Sequence, residues 1–121
     1  MKKSTPRKKL IKALDKACRE YVVSRDHHVC QWCGKLVAGK NCQWSHIITR
    51  SEHLLRWMPE NSLILCYFCH RKWHSDPLHS TEWFKGKFPD RYKKIMRLAK
   101  KSRPISVSEL EQILEGFDAK L

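Results

Sequence analysis

Two cysteine pairs of identical spacing constrain this chain more than any other feature of its sequence. Cys30 and Cys33 lie in "CQWC", and Cys66 and Cys69 lie in "CYFC". Two such pairs are typical of a structural zinc ion held by four thiolates at tetrahedral geometry, with no open position. The pattern therefore predicts one zinc site that clamps the ends of an inserted hairpin. The alternative is four unrelated cysteines that pack or pair in other ways.

A zinc staple suits a chain of 121 residues, which forms one small domain with a limited core. The N-terminal "MKKSTPRKKLIKAL" lacks the apolar stretch of a signal peptide, so the sequence predicts an intracellular, cytoplasmic protein. In a reducing compartment, cysteines act as metal ligands or free thiols rather than as disulfides. Cys18 has no partner at metal spacing and is expected in the core, and Cys42 is expected to be a strand side chain.

The net charge of +13 predicts a polyanionic partner, most simply nucleic acid, and no apolar run is long enough to enter a membrane. Residues 1–25 hold nine Lys and Arg against two acids, and residues 84–103 hold nine against one. The centre is nearly neutral. This layout favours a site held between two phosphate-binding arms, although two solvated lysine-rich helices would have the same composition.

Apolar residues recur at three- and four-residue steps over residues 8–25, which predicts an amphipathic helix. Strands are predicted from Asn41 and at "SLILC", with a loop, "TRSEHLLRWMPEN", between them. Further helices are predicted from Tyr67 to about Ser75, over "FPDRYKKIMRLAKK", and after a capping box, "SVSE". These elements together predict an α+β fold.

Three histidines could form a second site. His70 and His74 lie four residues apart on a predicted helix, so both imidazoles can face one metal ion. His46, in "SHIITR", lies on a strand that the same zinc site brings near that helix. Each histidine alone is more simply a surface or packing residue, but the three together predict a site separate from the four sulfurs.

The joint pattern "CQWC…SHIITR…PENSLILCYFCHRKWH" resembles the HNH, or ββα-metal, nuclease motif in its zinc-finger form, over about residues 25–80. The longer string "SHIITRSEHLLRWMPENSLILCYFCHRKWHSDPLHSTEWF" is similar to small phage-type HNH endonucleases, including the NinG/Rap recombination-endonuclease group. The resemblance implies a small zinc-stapled ββα-metal core with flanking basic α-helices. It also implies a role in phage recombination or DNA processing, in the host cytoplasm.

The resemblance assigns a role to each residue that matches the motif. His46 matches the general base, and Asn61 matches the asparagine that fixes the loop and orients the base. His70 matches the metal-ligand histidine, and His74 matches a second helix histidine that ligates the metal or contacts the phosphate. The residue before the base is usually an Asp or His metal ligand. Here it is Ser45, which would bind the catalytic metal weakly or not at all.

This chemistry fits phosphodiester hydrolysis. An imidazole can deprotonate water near neutral pH, and a cation offsets the charge that develops on the phosphate. The implied cofactors are a structural Zn²⁺ and one catalytic divalent metal, which could be Mg²⁺, Mn²⁺, Ni²⁺ or Zn²⁺. The expected nucleic-acid contacts are Arg50, Arg71, Lys72, Lys93, Lys94 and Arg97.

The sequence as a whole predicts a metal-dependent DNA endonuclease acting on duplex or branched DNA. Its expected parts are a basic N-terminal helix over residues 1–25, a zinc-bound core over 26–80, a basic helical flank over 81–103 and a C-terminal helix over 104–121. Two alternatives remain, a zinc-finger DNA-binding module without catalysis and an RNA-directed nuclease. The oligomeric state, including a homodimer, is left open.

Overall fold

A computed structural model of the chain describes residues 6–48, 53–101 and 103–120. It is an α+β structure with a two-stranded antiparallel sheet. The elements follow one another as α1 (Pro6–Arg25), β1 (Gln43–His46), α2 (His53–Arg56), β2 (Ser62–Leu65), α3 (Tyr67–Ser75), α4 (Pro77–Lys87), α5 (Pro89–Ala99) and α6 (Val107–Lys120). Single turns of 3-10 helix, Gly39–Asn41 and Pro59–Asn61, precede the two strands.

Helix α1 forms where the apolar periodicity predicts a helix, and it begins at a proline, which suits a first helical turn. Leu14, Cys18 and Val22 line one face at four-residue steps and are fully buried. This burial confirms the core position expected for Cys18. The ring of Phe117 in α6 lies 5.9 Å from that of Tyr21, so the C-terminal helix packs against α1.

The two strands pair in antiparallel register, with Ser45 opposite Leu63 and His46 opposite Ser62. Every residue of β2 is buried, whereas in β1 only Ser45 is buried and the other three residues are of intermediate exposure. Alternation along β1 therefore sends the buried Ser45 and the partly exposed His46 to opposite faces of the hairpin. Before β1, Gly34 adopts φ +80° directly after the first cysteine pair, in the left-handed region that glycine enters without a steric penalty.

The connection between the strands is more ordered than the loop that the sequence predicts. It contains the short helix α2 and the 3-10 turn Pro59–Asn61, while residues 49–52 lie outside the described part. Arg25 donates to the carbonyls of Pro59 (2.6 Å) and Ser62 (2.8 Å). Arg91 donates to the carbonyls of Glu60 (3.2 Å) and Ser62 (2.7 Å). Two arginines from distant helices thus fix a turn whose sequence reads as a loop.

Helix α3 has the predicted bounds, but the helix that follows it, α4, was not predicted. Pro77 follows the end of α3 and also begins α4, and the Asp76 side chain caps α4 by accepting from the His79 N–H at 3.3 Å. Helix α4 therefore runs across the boundary placed between residues 80 and 81.

The last two helices occupy the predicted stretches. Helix α5 begins at Pro89, and α6 follows a capping box in which Ser106 and Glu109 bond each other's backbone N–H, at 3.2 and 3.3 Å. Within the described residues, none of the helices has the length and apolar character needed to cross a membrane.

Candidate metal centre and histidine cavity

The four cysteines of the two pairs come together at one point. Their sulfur atoms all lie within 4.8 Å of one another, although the pairs are separated by more than thirty residues of chain. One pair lies on the knuckle after α1, and the other spans the end of β2 and the first turn of α3. Within the described residues, this is the only group of three or more potential ligands that converges so closely.

The geometry of the cluster fits a tetrahedral ion such as zinc. Zinc–sulfur bonds of about 2.3 Å at tetrahedral angles place neighbouring sulfurs about 3.8 Å apart. Cys33 Sγ and Cys66 Sγ lie 3.8 Å apart, too far for a disulfide. The first sulfur of each pair also accepts a backbone N–H, from Cys33 at 3.5 Å and from Cys69 at 3.3 Å. These bonds hold both knuckles with their sulfurs turned inward.

The thiols also differ in acidity. Burial acts to raise the pKa of the Cys30 thiol, but backbone N–H groups from Cys33, Cys66 and Trp32 outweigh it and lower that pKa to about 7. Burial raises the pKa of Cys69, and the neighbouring Cys66 and Cys30 raise it further. Sulfurs this close cannot all ionise without a counter-charge. A divalent cation supplies that charge, so the donor set calls for a metal ion.

A cavity of about 570 Å³ lies between β1 and the helices α3 and α4. His46, His70 and His74 line it, together with Trp44, Ile47 and Trp73. The three histidines predicted to act together therefore share one cavity. They do not form a compact three-ligand cluster, because no such group appears among the described residues beside the four cysteines.

The imidazole of His46 is held from two sides. Its Nε2 lies 3.1 Å from the Arg56 carbonyl oxygen, and its ring packs against Trp44 with centroids 4.2 Å apart. A carbonyl oxygen only accepts, so the Nε2 atom carries the proton in the neutral ring. The lone pair then resides on Nδ1. The backbone of the same residue is also fixed, since Trp73 Nε1 donates to the His46 carbonyl at 3.2 Å.

His70 and His74 lie side by side on α3, with ring centroids 4.6 Å apart. Burial, and then the nearby His74, lower the pKa of His70. The neutral imidazole that results is the form that binds metals. Nδ1 of His70 lies 2.7 Å from the hydroxyl of the fully buried Ser45. Ser45 thus touches a ring nitrogen of His70, and this nitrogen is unavailable to a metal while the bond lasts.

Asn61 is fully buried. Its Oδ1 accepts from the Ile48 N–H at 2.9 Å, and its Nδ2 donates to the carbonyls of Ile48 (3.0 Å) and Leu55 (3.1 Å). One side chain therefore ties the chain leaving β1 to helix α2. Both segments adjoin His46, the first by sequence and the second through the Arg56 carbonyl.

Of the residues expected to contact phosphate, those in the described part of the chain lie on the surface. Arg71 and Lys72 project from the outer side of α3, over the rings of Tyr67 and Trp32 respectively. Lys93, Lys94 and Arg97 are exposed on α5, and Lys94 lies 3.4 Å from a carboxylate oxygen of Glu60. Arg50 lies outside the described residues.

Sequence reasoning missed the charged residues that hold the end of α2, whose last carbonyl contacts His46, against helix α1. Asp15 binds Arg56 through both carboxylate oxygens, at 3.0 and 2.6 Å, and accepts from Trp57 Nε1 at 2.9 Å. A signal was present in the sequence, because Ile11, Asp15, Cys18 and Val22 follow one helical stripe. An acid on the buried stripe of a basic helix needs a partner in the core.

Comparison of the chain with models of protein families, with curated proteins and with solved structures returned no match. What the cavity does must therefore be inferred from its own residues.

Proposed function

We propose that this protein is a metal-dependent DNA endonuclease of the HNH, or ββα-metal, class. The supporting observation is one cavity lined by a strand histidine, whose Nε2 lies 3.1 Å from a backbone carbonyl, and by two neighbouring helix histidines. An antiparallel hairpin followed by a helix carries all three, and the four-cysteine centre joins the knuckle after α1 to the junction of β2 and α3. The sequence resemblance to the HNH motif and the shared cavity of the three histidines thus both favour the HNH class of nucleases.

In this proposal His46 is the general base. The Arg56 carbonyl retains the proton on Nε2, so Nδ1 is the atom that removes a proton from the attacking water. An imidazole ordinarily titrates near neutral pH and can be neutral and basic under cellular conditions. Asn61 maintains this arrangement, because it joins the segment after His46 to the helix that carries the Arg56 carbonyl.

His70 and His74 would hold the catalytic cation. Two neutral imidazoles suit Mn²⁺, Ni²⁺, Co²⁺ or Zn²⁺, and water would complete the coordination. When bound, the cation stabilises negative charge on the phosphate and on the leaving oxygen. Ser45 takes the place of a ligand in the family pattern, and its hydroxyl would instead accept from His70 Nδ1–H. That bond leaves Nε2 as the coordinating nitrogen and orients the ring.

The charge distribution supports a nucleic acid as substrate. The chain carries +13, and exposed cations lie on α3 beside the two helix histidines and on α5. Such residues attract phosphate groups regardless of sequence, which predicts a strongly salt-dependent affinity. No element of the described structure is recognisable as one that contacts particular bases. The proposal therefore concerns DNA in general and no particular sequence.

A plasmid assay tests the proposal directly. Supercoiled DNA is incubated with the protein and Mg²⁺, Mn²⁺, Ni²⁺ or Zn²⁺, with EDTA as the metal-free control. We expect nicked or linear product in wild type, and a rate at least about 10²-fold lower in His46→Ala, the usual contribution of a general base. His27→Asn is the matched control, because His27 is exposed at φ 56° and asparagine tolerates that backbone.

Two outcomes would count against nuclease function. Wild-type protein that binds DNA but cuts it with none of the four ions would favour a DNA-binding module. Cleavage that persists undiminished in His46→Ala would place the base elsewhere or reveal a contaminating nuclease. Parallel cleavage of single-stranded and duplex RNA of the same length tests the RNA-directed alternative.

A further inference from the structure

The tautomer of His46 depends on the position of one backbone carbonyl. That carbonyl belongs to Arg56, the last residue of α2, and it lies 3.1 Å from His46 Nε2. Helix α2 is a single short turn of four residues, too short to be stable without tertiary contacts. The contacts that fix the end of α2 therefore also fix the carbonyl that sets the tautomer of His46.

Helix α1 supplies the contact that holds this end. The two carboxylate oxygens of Asp15 accept from Arg56 Nε at 3.0 Å and from Arg56 Nη2 at 2.6 Å. One of them also accepts from the indole N–H of Trp57 at 2.9 Å. Two-point pairing of a carboxylate with a guanidinium fixes orientation as well as distance. The side chains of Asp15 and Arg56 are 22% and 15% exposed, so water competes little for these bonds.

We propose that Asp15 is a positioning residue for His46, acting through Arg56 and Trp57. The inference rests on the proposed role of His46 as general base. Helix α1 would then help to position the base, in addition to the phosphate binding that its basic composition suggests. The inference also assigns the Arg56 side chain to this internal support rather than to DNA, because its guanidinium is turned towards Asp15.

Loss of the Asp15 carboxylate should act on the base and not on substrate binding. Without the two-point pair, residues 56 and 57 lose their contacts with α1. The Asn61 bond to the Leu55 carbonyl still holds the preceding residue, but the Arg56 carbonyl is less tightly fixed relative to Nε2. The imidazole then also populates the tautomer protonated at Nδ1, which cannot accept a proton there. Asp15 is a partly buried acid that pairs with Arg56, so its loss removes no phosphate contact.

The kinetic experiment compares Asp15→Asn with Glu20→Gln in the full chain. Both substitutions remove one negative charge from α1, but Glu20 is exposed on that helix. With duplex DNA and Mn²⁺, we expect kcat of Asp15→Asn to fall about 10- to 100-fold, as when an orienting partner is lost. KM should stay within about twofold, since substrate binding is untouched. An equal loss in Glu20→Gln would reveal a general charge effect and overturn the inference.

A spectroscopic experiment separates this inference from the proposed nuclease activity. Imidazole nitrogen shifts in protein labelled with ¹⁵N-histidine report which ring nitrogen carries the proton, and His46→Ala identifies the signals. Without added divalent cation, wild type should show His46 protonated at Nε2, and Asp15→Asn should show a mixture. A folded Asp15→Asn protein with an unchanged His46 tautomer would refute the positioning role, even if wild type proved not to be a nuclease.

A second variant covers the case in which Asp15→Asn does not fold. Trp57→Phe keeps an aromatic ring in the core but removes the indole N–H that Asp15 accepts. It should shift the His46 tautomer in the same direction by a smaller amount. An unchanged tautomer in this variant, together with an unfolded Asp15→Asn, would assign Asp15 to stability alone.

Discussion

Replacing Asn61 with alanine removes three hydrogen bonds from a fully buried position. The Ile48 N–H and the Ile48 carbonyl lose the partner that Asn61 supplies, at present distances of 2.9 and 3.0 Å. The Leu55 carbonyl loses its 3.1 Å bond from Asn61 but still accepts from the Met58 N–H at 3.1 Å. A buried polar group left unpaired costs about 1–3 kcal/mol, and partly exposed groups recover some of this from water. We therefore expect Asn61→Ala to lower the free energy of unfolding by about 2–4 kcal/mol in total.

Urea denaturation measures this loss. Folded domains are stable by about 5–15 kcal/mol, so the variant should remain folded in water. With a slope of about 2 kcal/mol per molar urea, in the middle of the usual range for small proteins, the midpoint should fall by about 1–2 M. Circular dichroism and tryptophan fluorescence must give coincident transitions for a two-state analysis. Zinc is kept in excess, so that the metal centre is the same in both proteins.

Two further variants make the result interpretable. Asn61→Asp keeps the oxygen that accepts from Ile48, but it buries a carboxylate facing two carbonyl oxygens, so it should destabilise at least as much as alanine. Asn41→Ala removes one exposed hydrogen bond, to the Tyr67 N–H at 2.8 Å, and should cost less than about 1 kcal/mol. A loss below 1 kcal/mol in Asn61→Ala would show that the three bonds do not hold the hairpin to α2.

Three other predictions concern the metal centre, the cavity and the C-terminal helix. Cys30→Ser or Cys69→Ser should abolish metal binding and unfold or aggregate the protein, because metal binding is coupled to folding in so small a domain. Elemental analysis and circular dichroism check this, and a folded wild-type protein without bound metal would contradict it. Ser45→Ala removes the partner of His70 Nδ1 and should raise the divalent-ion concentration needed for half-maximal cleavage by about 10- to 100-fold. An unchanged requirement would mean that Ser45 does not orient the ring. The Arg103 side chain, followed by the Ser106 backbone N–H, lowers the pKa of Glu109 from 4.5 to about 2. Its folded pKa lies below the unfolded one, so its stabilisation is present above pH 4.5 and is lost as pH falls towards 2. The melting temperatures of wild type and Glu109→Gln should therefore converge over that range, and a constant difference would refute the assignment.

Local features of the sequence were enough to predict several elements of the structure. The two CxxC pairs predicted a four-cysteine centre, because thiols at that spacing can turn inward on one knuckle. The bounds of α3 follow from residues within one turn of its ends, as does the capping box of α6. Such signals are readable because the groups that decide them are close along the chain. The HNH resemblance and the nuclease activity that it implies remain predictions.

Tertiary structure decided what surrounds the histidines. The Asp15–Arg56 pair spans 41 residues, and the bond from Arg91 to Ser62 spans 29. In both pairs, the residues next to one member in sequence do not indicate what the other member is. A carbonyl or carboxylate can pair with any cation that the packing of the chain brings close. The same holds for His46, whose tautomer depends on a carbonyl ten residues away, beyond a segment that reads as loop. The sequence by itself determined which side chains are present and where the helices with strong local signals, such as α3 and α6, begin. Their mutual orientation, and therefore which nitrogen of each imidazole can act, is settled only when distant helices pack together.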